Sequence, residues 1–252
     1  MTQGNFRYSD MNSTLKSAAD PMGAAIYDYH KTGEADTLIV HSSMFEDDEI
    51  PVADLFRQIG QMSELEQMAM HLASGKILDV GAGAGCHSLS LKQLGKEVCA
   101  VDISPLSVQT MQERGVDARE INFYDDSFAE KFDTILMLMN GTGIIGTLDN
   151  IDNYFARLRQ LLNPGGKVLI DSSDLRYLFE EEDGSLMIDL ADDYYGQLDY
   201  QMEYKGVLGE PFDWLYLDFQ TLAYYAEENG FRAELISEGE HYDYLAALFV
   251  NE

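Results

Sequence analysis

Lys76-Ile-Leu-Asp-Val-Gly-Ala-Gly-Ala-Gly85 is the stretch that decides how the chain is read. A short apolar run carrying Asp79 passes into Gly81, Gly83 and Gly85 at alternate positions, and a helical pattern follows at once. Glycine accepts positive φ and lets backbone N–H groups come close to a ligand, while the helix behind it offers the positive end of its dipole. The order strand, glycine turn, helix predicts a parallel α/β unit with a nucleotide-type ligand over the C-terminal end of the strand.

The pattern downstream extends that unit. Short apolar strands are expected over 76–80, 97–101, 117–121, 132–139 and 167–171, with amphipathic helices between them, which is the alternation of βαβ units around a parallel sheet. The run over 132–139 is almost continuously apolar, as a strand covered on both faces should be. The helix after it places Leu148, Ile151, Tyr154, Phe155, Leu158, Leu161 and Leu162 on one face before Pro164-Gly165-Gly166. A helix over 218–229 and strands over 231–237 and 244–250 complete this domain, set at 75–252.

Upstream, Asp20-Pro21 has the form of a helix start, with Met22, Ile26 and Tyr29 at helical spacing and Gly33 beyond. A short extended segment over 37–41 and an acidic loop over 46–49 follow. Then comes a helical run from Pro51 through Ile59, and Ser63 with Glu66 forms a capping-box pair. Residues 1–15 show no periodicity and read as a frayed end, so 1–74 is expected to be an N-terminal helical cap. Between 172 and 213 the alternation breaks into an aromatic, acidic insertion, in which Tyr200 to Tyr204 alternates like an exposed strand ahead of a turn at 205–209.

At 252 residues and 46% hydrophobic content, the chain suffices for one sizeable core. Its 16 basic and 45 acidic residues leave a net charge of −29, which repels nucleic acid and anionic membranes and favours a small-molecule substrate. Cys86 and Cys99 match no disulfide or metal-ligand spacing and are expected as buried thiols, with no metal. The N-terminus lacks a basic start followed by an apolar core, and no apolar run reaches membrane-spanning length, so a cytoplasmic protein without a membrane partner is expected.

Spacing narrows the ligand. A dinucleotide fingerprint wants glycine or alanine where Cys86 stands, and it does not usually carry an acid two residues before the first glycine, where Asp79 stands. Asp102 closes the second strand, and a carboxylate there can accept both hydroxyls of a ribose. The competing role for Asp102 is a helix N-cap, for which Ser104 is better placed.

With these residues in place the chain resembles the class I S-adenosylmethionine-dependent methyltransferases. The resemblance rests on ILDVGAGAG, on VDIS with Asp102, on FDTILMLMNG, on LLNPGGKVLID, and on a helix ending ENGF, in the family's order over 76–250. It implies an α/β fold, a Rossmann-like three-layer sandwich around a seven-stranded, mostly parallel sheet of order 3-2-1-4-5-7-6 with strand 7 antiparallel. S-adenosyl-L-methionine would be the cofactor, bound over the strand ends. By the same resemblance Gly81, Ala82, Gly83 and Gly85 would lie against the methionine moiety and Asp79 would orient the loop or the amino group. Asp102 would hold the ribose, Ile103 would pack on adenine, Asn122 and Phe123 would hold the adenine edge, and Met139, Asn140 and Gly141 would face the methyl donor.

Transfer from a sulfonium needs mainly alignment in a dry pocket, and a base is required only for an acceptor that arrives protonated at high pKa. His87, His30, His41 and His241 are candidate bases, each set against a surface or packing role. Met139-Asn-Gly-Thr142 does not match the Asn/Asp-Pro-Pro-Tyr/Phe motif of base or glutamine methylases. The tyrosines of the insertion, with Tyr27 and Tyr29, suit either a cationic or planar acceptor or a small core of their own. The alternatives carried are a non-catalytic S-adenosylmethionine-binding or interaction module and, further off, an NAD(P)-dependent oxidoreductase.

Overall fold

A computed structural model describes residues 13–179 and 193–251; the expected insertion residues 180–192 and the expected frayed residues 1–12 lie outside these. In chain order the elements are α1 (Pro21–Thr32), β1 (Leu38–His41), β2 (Asp48–Ile50), α2 (Glu64–Leu72), β3 (Lys76–Val80), α3 (Cys86–Gln93), β4 (Glu97–Asp102), α4 (Pro105–Glu113) and β5 (Ala118–Glu120). There follow β6 (Phe132–Met137), α5 (Ile151–Leu161), β7 (Leu162–Ser173), β8 (Gln197–Tyr204), β9 (Val207–Leu208), β10 (Phe212–Leu215), α6 (Phe219–Glu228), β11 (Phe231–Glu238) and β12 (Asp243–Val250).

Seven strands form the central sheet in the order β5-β4-β3-β6-β7-β12-β11. β12 runs antiparallel to both β7 and β11, and the other pairings are parallel. Counted along the domain this is 3-2-1-4-5-7-6 with the last strand reversed, the expected Rossmann-like topology. Side chains alternate across each strand: Leu78, Val101, Ile135 and Val168 enter one core with α5 and α6, while Ile77, Leu136 and Leu169 enter another with α2 and α3. Ala100, Val108 and Met111 seat α4 beside α3, which makes three layers.

Local signals account for the helix ends. Asp20 accepts the Gly23 N–H at 2.9 Å to cap α1, and the Ser104 hydroxyl binds the same carboxylate at 2.6 Å while capping α4 through the Ser107 N–H at 2.9 Å. One carboxylate thus ties the starts of two neighbouring helices. Ser63 and Glu66 form the expected reciprocal capping box on α2.

The N-terminal segment departs from its helical reading. β1, in the segment expected to be extended, pairs with both β2 and β8, β2 takes up part of the acidic run read as a loop, and β10 and β9 pair with β8, all antiparallel. The run after Pro51 is two 3-10 turns, Val52–Phe56 and Ile59–Gln61, instead of one helix. The expected frayed end is held by its last residues: the Leu15 N–H donates to the Ile103 carbonyl at 2.9 Å and the Thr14 hydroxyl to Glu120 at 2.6 Å. β2, three residues long, has too little internal pattern to show itself, while the expected extended segment is β1, whose other partner β8 lies more than 150 residues away.

Leu38, Met202 and Tyr204 on one face of this second sheet pack with Ala25 and Val52 against α1. The other face carries His41, bonded to Asp47 and Glu203. The sheet docks on the turn Gly141–Ile145 through β10, where a Cβ on Gly143 would lie 1.8 Å from Trp214 Cε2. Only glycine permits that contact.

Candidate active site

The glycine turn divides its residues between two tasks. Gly81, Gly83 and Gly85 all have positive φ, at 67°, 54° and 79°. A Cβ on Gly81 would meet nothing within 4 Å and one on Gly83 only Ile26 at 3.9 Å, so these two border open space. A Cβ on Gly85 would reach Met111 at 2.9 Å, and Ala82 is buried with Met111 and Val108. Gly85 and Ala82, both expected against the methionine moiety, close the turn and pack it on α4.

Asp102 faces the same space. Its Oδ2 accepts the Gly83 N–H at 2.8 Å and its Oδ1 the Ser104 N–H at 2.8 Å, which leaves a lone pair on each oxygen for a diol. Ser104, not Asp102, caps α4. Burial pushes the Asp102 carboxyl up to about 6. Ile103 beside it is 38% exposed and Met139, after β6, 42%, two exposed apolar side chains beyond the C-terminal ends of the strands. Asp79 is buried and accepts the Ser88 hydroxyl at 2.6 Å, so it joins β3 to the first turn of α3; burial raises its carboxyl above the usual range.

Two expected adenine contacts are differently engaged. Asn122 donates to the Ser13 carbonyl at 3.0 Å and accepts the Tyr124 N–H at 2.9 Å. Phe123 points into the main core, and its carbonyl accepts from the buried Arg157 at 2.6 Å. Arg157 also binds the Asp125 and Phe128 carbonyls, and so holds the loop after β5.

The loop after β6 is held by a residue the sequence reading quoted without a role. Asp171, near the end of β7, accepts three successive N–H groups: Met139 at 3.0 Å, Asn140 at 2.8 Å and Gly141 at 3.0 Å. Met139 and Asn140 have φ of 63° and 69°, a conformation that costs non-glycine residues energy and persists only under such constraint. Burial raises Asp171 to about 6, opposed by those three N–H donors. The available signal was that three parallel strands each carry an aspartate near their C-terminal end, Asp79, Asp102 and Asp171.

The histidines separate clearly. His30 lies beside Glu113 at 3.1 Å, at the far end of α4 from the strand termini. His41 sits on the outer face of the second sheet. His87 is buried with Nε2 2.8 Å from Glu66 Oε1, and Arg57 Nη2 reaches the same oxygen at 2.9 Å. Burial opposes the charge on Glu66, but the His87 hydrogen bond, the Ser63 N–H and both cationic neighbours hold its carboxyl down to about 2. His241 lines a cavity of about 200 Å³ with Ser173, Leu198, Tyr200 and Tyr216, between the end of β7 and the second sheet. The Tyr200 and Tyr216 hydroxyls lie 3.1 Å apart on that wall. The remaining tyrosines mostly pack: Tyr29 meets Phe56 at 4.7 Å, and Tyr194 and Tyr195 bind Asp218.

The family model for a methyltransferase domain matches residues 53–235. A crystal structure of an S-adenosylmethionine-dependent methyltransferase from Bacteroides fragilis in complex with S-adenosyl-L-homocysteine is 59% identical, with a TM-score of 0.91 over 96% of this chain and 99% of that one. A cypemycin N-terminal methyltransferase from a Streptomyces species is 30% identical over 39% of this chain and 42% of its own length. A demethylmenaquinone methyltransferase from Tropheryma whipplei is 30% identical over 39% of this chain and 41% of its own. The chain thus spans about two fifths of the length of these curated relatives. With sheet order, glycine turn and an aspartate closing the second strand of the domain agreeing, the chain belongs to the methyltransferase-domain family, in its class I S-adenosylmethionine-dependent branch.

Proposed function

We propose that the chain transfers a methyl group from S-adenosylmethionine to a small organic acceptor by in-line displacement. The observation that carries this is one cleft with an open glycine turn and Asp102 on one side, and the Asp171-held loop 139–141 on the other. The B. fragilis relative with its bound S-adenosylhomocysteine supports the choice of cofactor, and these relatives do not favour a non-catalytic module or an oxidoreductase.

The cofactor supplies a methyl group already activated by the sulfonium. The chain's own residues align and enclose. Gly81 and Gly83 bring backbone to the ligand, Asp102 offers two acceptor oxygens to the ribose, and Ile103 offers an apolar surface to adenine. The carboxylates of Asp79, Asp102 and Asp171 favour a cationic donor. The cavity between the end of β7 and the second sheet, lined by Tyr200, Tyr216, His241 and Ser173, two residues beyond Asp171, receives the acceptor. His241 is the histidine placed to take a proton from the acceptor there; His87, committed to Glu66, is not. The net charge of −29 disfavours nucleic acid as acceptor, and a cytoplasmic location accords with this reading. Among the described residues no helix is long and apolar enough to cross a membrane.

Isothermal titration with S-adenosylhomocysteine tests the proposal. Binding by the native chain, weakened roughly tenfold or more by Asp102→Asn, is expected from the loss of a charged acceptor. No binding, or equal binding by the variant, sinks it.

A further inference from the structure

The cavity of about 200 Å³ between the end of β7 and the second sheet is walled by a segment bonded directly beside the methyl-donor loop. Thr142, the residue after that loop, donates to the Leu215 carbonyl at 2.8 Å, and Ser172, the residue after Asp171, accepts the Leu217 N–H at 3.0 Å. Leu215 and Leu217 are buried in the main core, so Tyr216 between them turns the other way, onto the cavity. Asp48 stands opposite Val40 and Val40 opposite Met202, and Tyr200 is two residues from Met202 on β8. Asp48 and Tyr200 therefore share the face of the second sheet that packs on α1. Asp199 accepts the Ser43 hydroxyl at 2.5 Å and the Ser43 N–H at 3.1 Å, which ties down the loop that carries Phe45 to the cavity.

The charge around this cavity has one sign. Phe45, Tyr177, Tyr200 and Tyr216 give it aromatic surface, and no lysine or arginine is among the described residues that line it. Arg176, between the lining residues Leu175 and Tyr177, is bonded through Nε to Asp174 at 2.6 Å. Burial raises the Tyr200 and Tyr216 hydroxyls above their ordinary range, and the Asp48 carboxylate adds to both shifts, with Asp199 adding to that of Tyr200. The hydroxyls thus stay protonated while the field of two carboxylates reaches them. Bonded to each other at 3.1 Å, they keep lone pairs for a further donor. A cation is favoured by that field, by the aromatic faces and by the hydroxyl oxygens, whereas a carboxylate or phosphate would meet no fixed cation. Since about 150 Å³ holds benzene, the space suits one ring-sized body with a short arm.

We propose that the methyl acceptor is a small amine, its apolar body against Phe45 and Tyr177 and its basic nitrogen at the Tyr200–Tyr216 hydroxyl pair. This rests on the methyltransferase reading above and narrows its accepting atom to nitrogen. The nitrogen arrives as an ammonium and passes one proton to the neutral imidazole of His241. Its freed electron pair then forms the C–N bond while the C–S bond breaks and that pair returns to sulfur. An N-methylated ammonium and S-adenosylhomocysteine result.

The test has two arms. In the first, the chain saturated with S-adenosylhomocysteine is titrated calorimetrically at pH 7 with 2-phenylethylamine and with 2-phenylethanol, alike in shape and different in charge. The amine is expected to bind roughly tenfold or more tightly. Tyr200→Phe and Asp48→Asn, the latter at an exposed carboxylate, should each shrink that ratio about twofold or more, which a merely structural role would not do. Should Tyr200→Phe fail to fold, the Asp48→Asn ratio decides. In the second arm, S-adenosylmethionine is supplied with size-matched amines, alcohols, phenols and carboxylates, and mass spectrometry should find methylated products from amines alone. Equal affinity for the two probes, binding of neither, or an oxygen acceptor methylated in preference to every amine overturns the proposal and leaves the methyltransferase reading intact. A chain that binds no S-adenosylhomocysteine overturns both.

Discussion

Asp171→Ala removes the single carboxylate that accepts the N–H groups of Met139, Asn140 and Gly141. Hydrogen bonds to a charged group contribute about 1.5 to 3 kcal/mol each, so the gross loss is roughly 5 to 9 kcal/mol. Against it stands the cost of burying the carboxylate, at least about 3 kcal/mol, since even with the three donors its pKa rises from 3.8 to about 6, two units at about 1.36 kcal/mol each. Further relief comes when Met139 and Asn140 leave the left-handed region, at about 1 kcal/mol each, and from water reaching the freed N–H groups. The net expectation is a loss of about 2 kcal/mol in urea denaturation followed by circular dichroism. Because the relaxed loop no longer borders the donor site, affinity for S-adenosylhomocysteine should fall about tenfold or more. Asp171→Asn keeps one acceptor oxygen and should fall between the two. Stability within about 0.5 kcal/mol of native together with unchanged affinity would refute the reasoning, since it would mean the loop keeps its conformation without the carboxylate.

Gly143→Ala places a methyl group 1.8 Å from Trp214 Cε2 and must displace the indole, at a cost of about 1 to 3 kcal/mol. As the chain has one tryptophan, its fluorescence should shift to longer wavelength; an unshifted spectrum rejects the contact as the lock between second sheet and central domain. The pH dependence follows from Asp102 and Asp171, both raised by burial to about 6. Between pH 4 and 6 the folded chain binds more protons at these groups than the unfolded chain, so their contribution to ligand-free stability declines as pH rises through that window. Cofactor binding needs the ionised forms, so affinity for S-adenosylhomocysteine should drop as pH falls through about 6, and Asp102→Asn should remove its share of the drop. A flat affinity from pH 5 to 8 contradicts this.

The central sheet was legible because its signals are local. Apolar runs of strand length, the amphipathic face from Ile151 to Leu161 and the positive-φ glycines each act within a few residues, and the family's motifs lie in the same windows. Asp102 was legible for the same reason, since its place at the end of a strand is set by neighbours in sequence. What only the tertiary structure decided joins distant segments. Leu38 pairs with Tyr204, Asp171 reaches back to Met139, Asn140 and Gly141, and Asn122 is taken by Ser13. The same structure splits the glycine turn into residues that border open space and a residue that faces Met111. Hydrophobic periodicity and turn chemistry are properties of a short window, so the sequence by itself determined the α/β core and the kind of cofactor. Which donor meets which acceptor depends on loop closure and shape after packing, so the folded chain alone decided how the cleft is walled, where its charges point and what covers it.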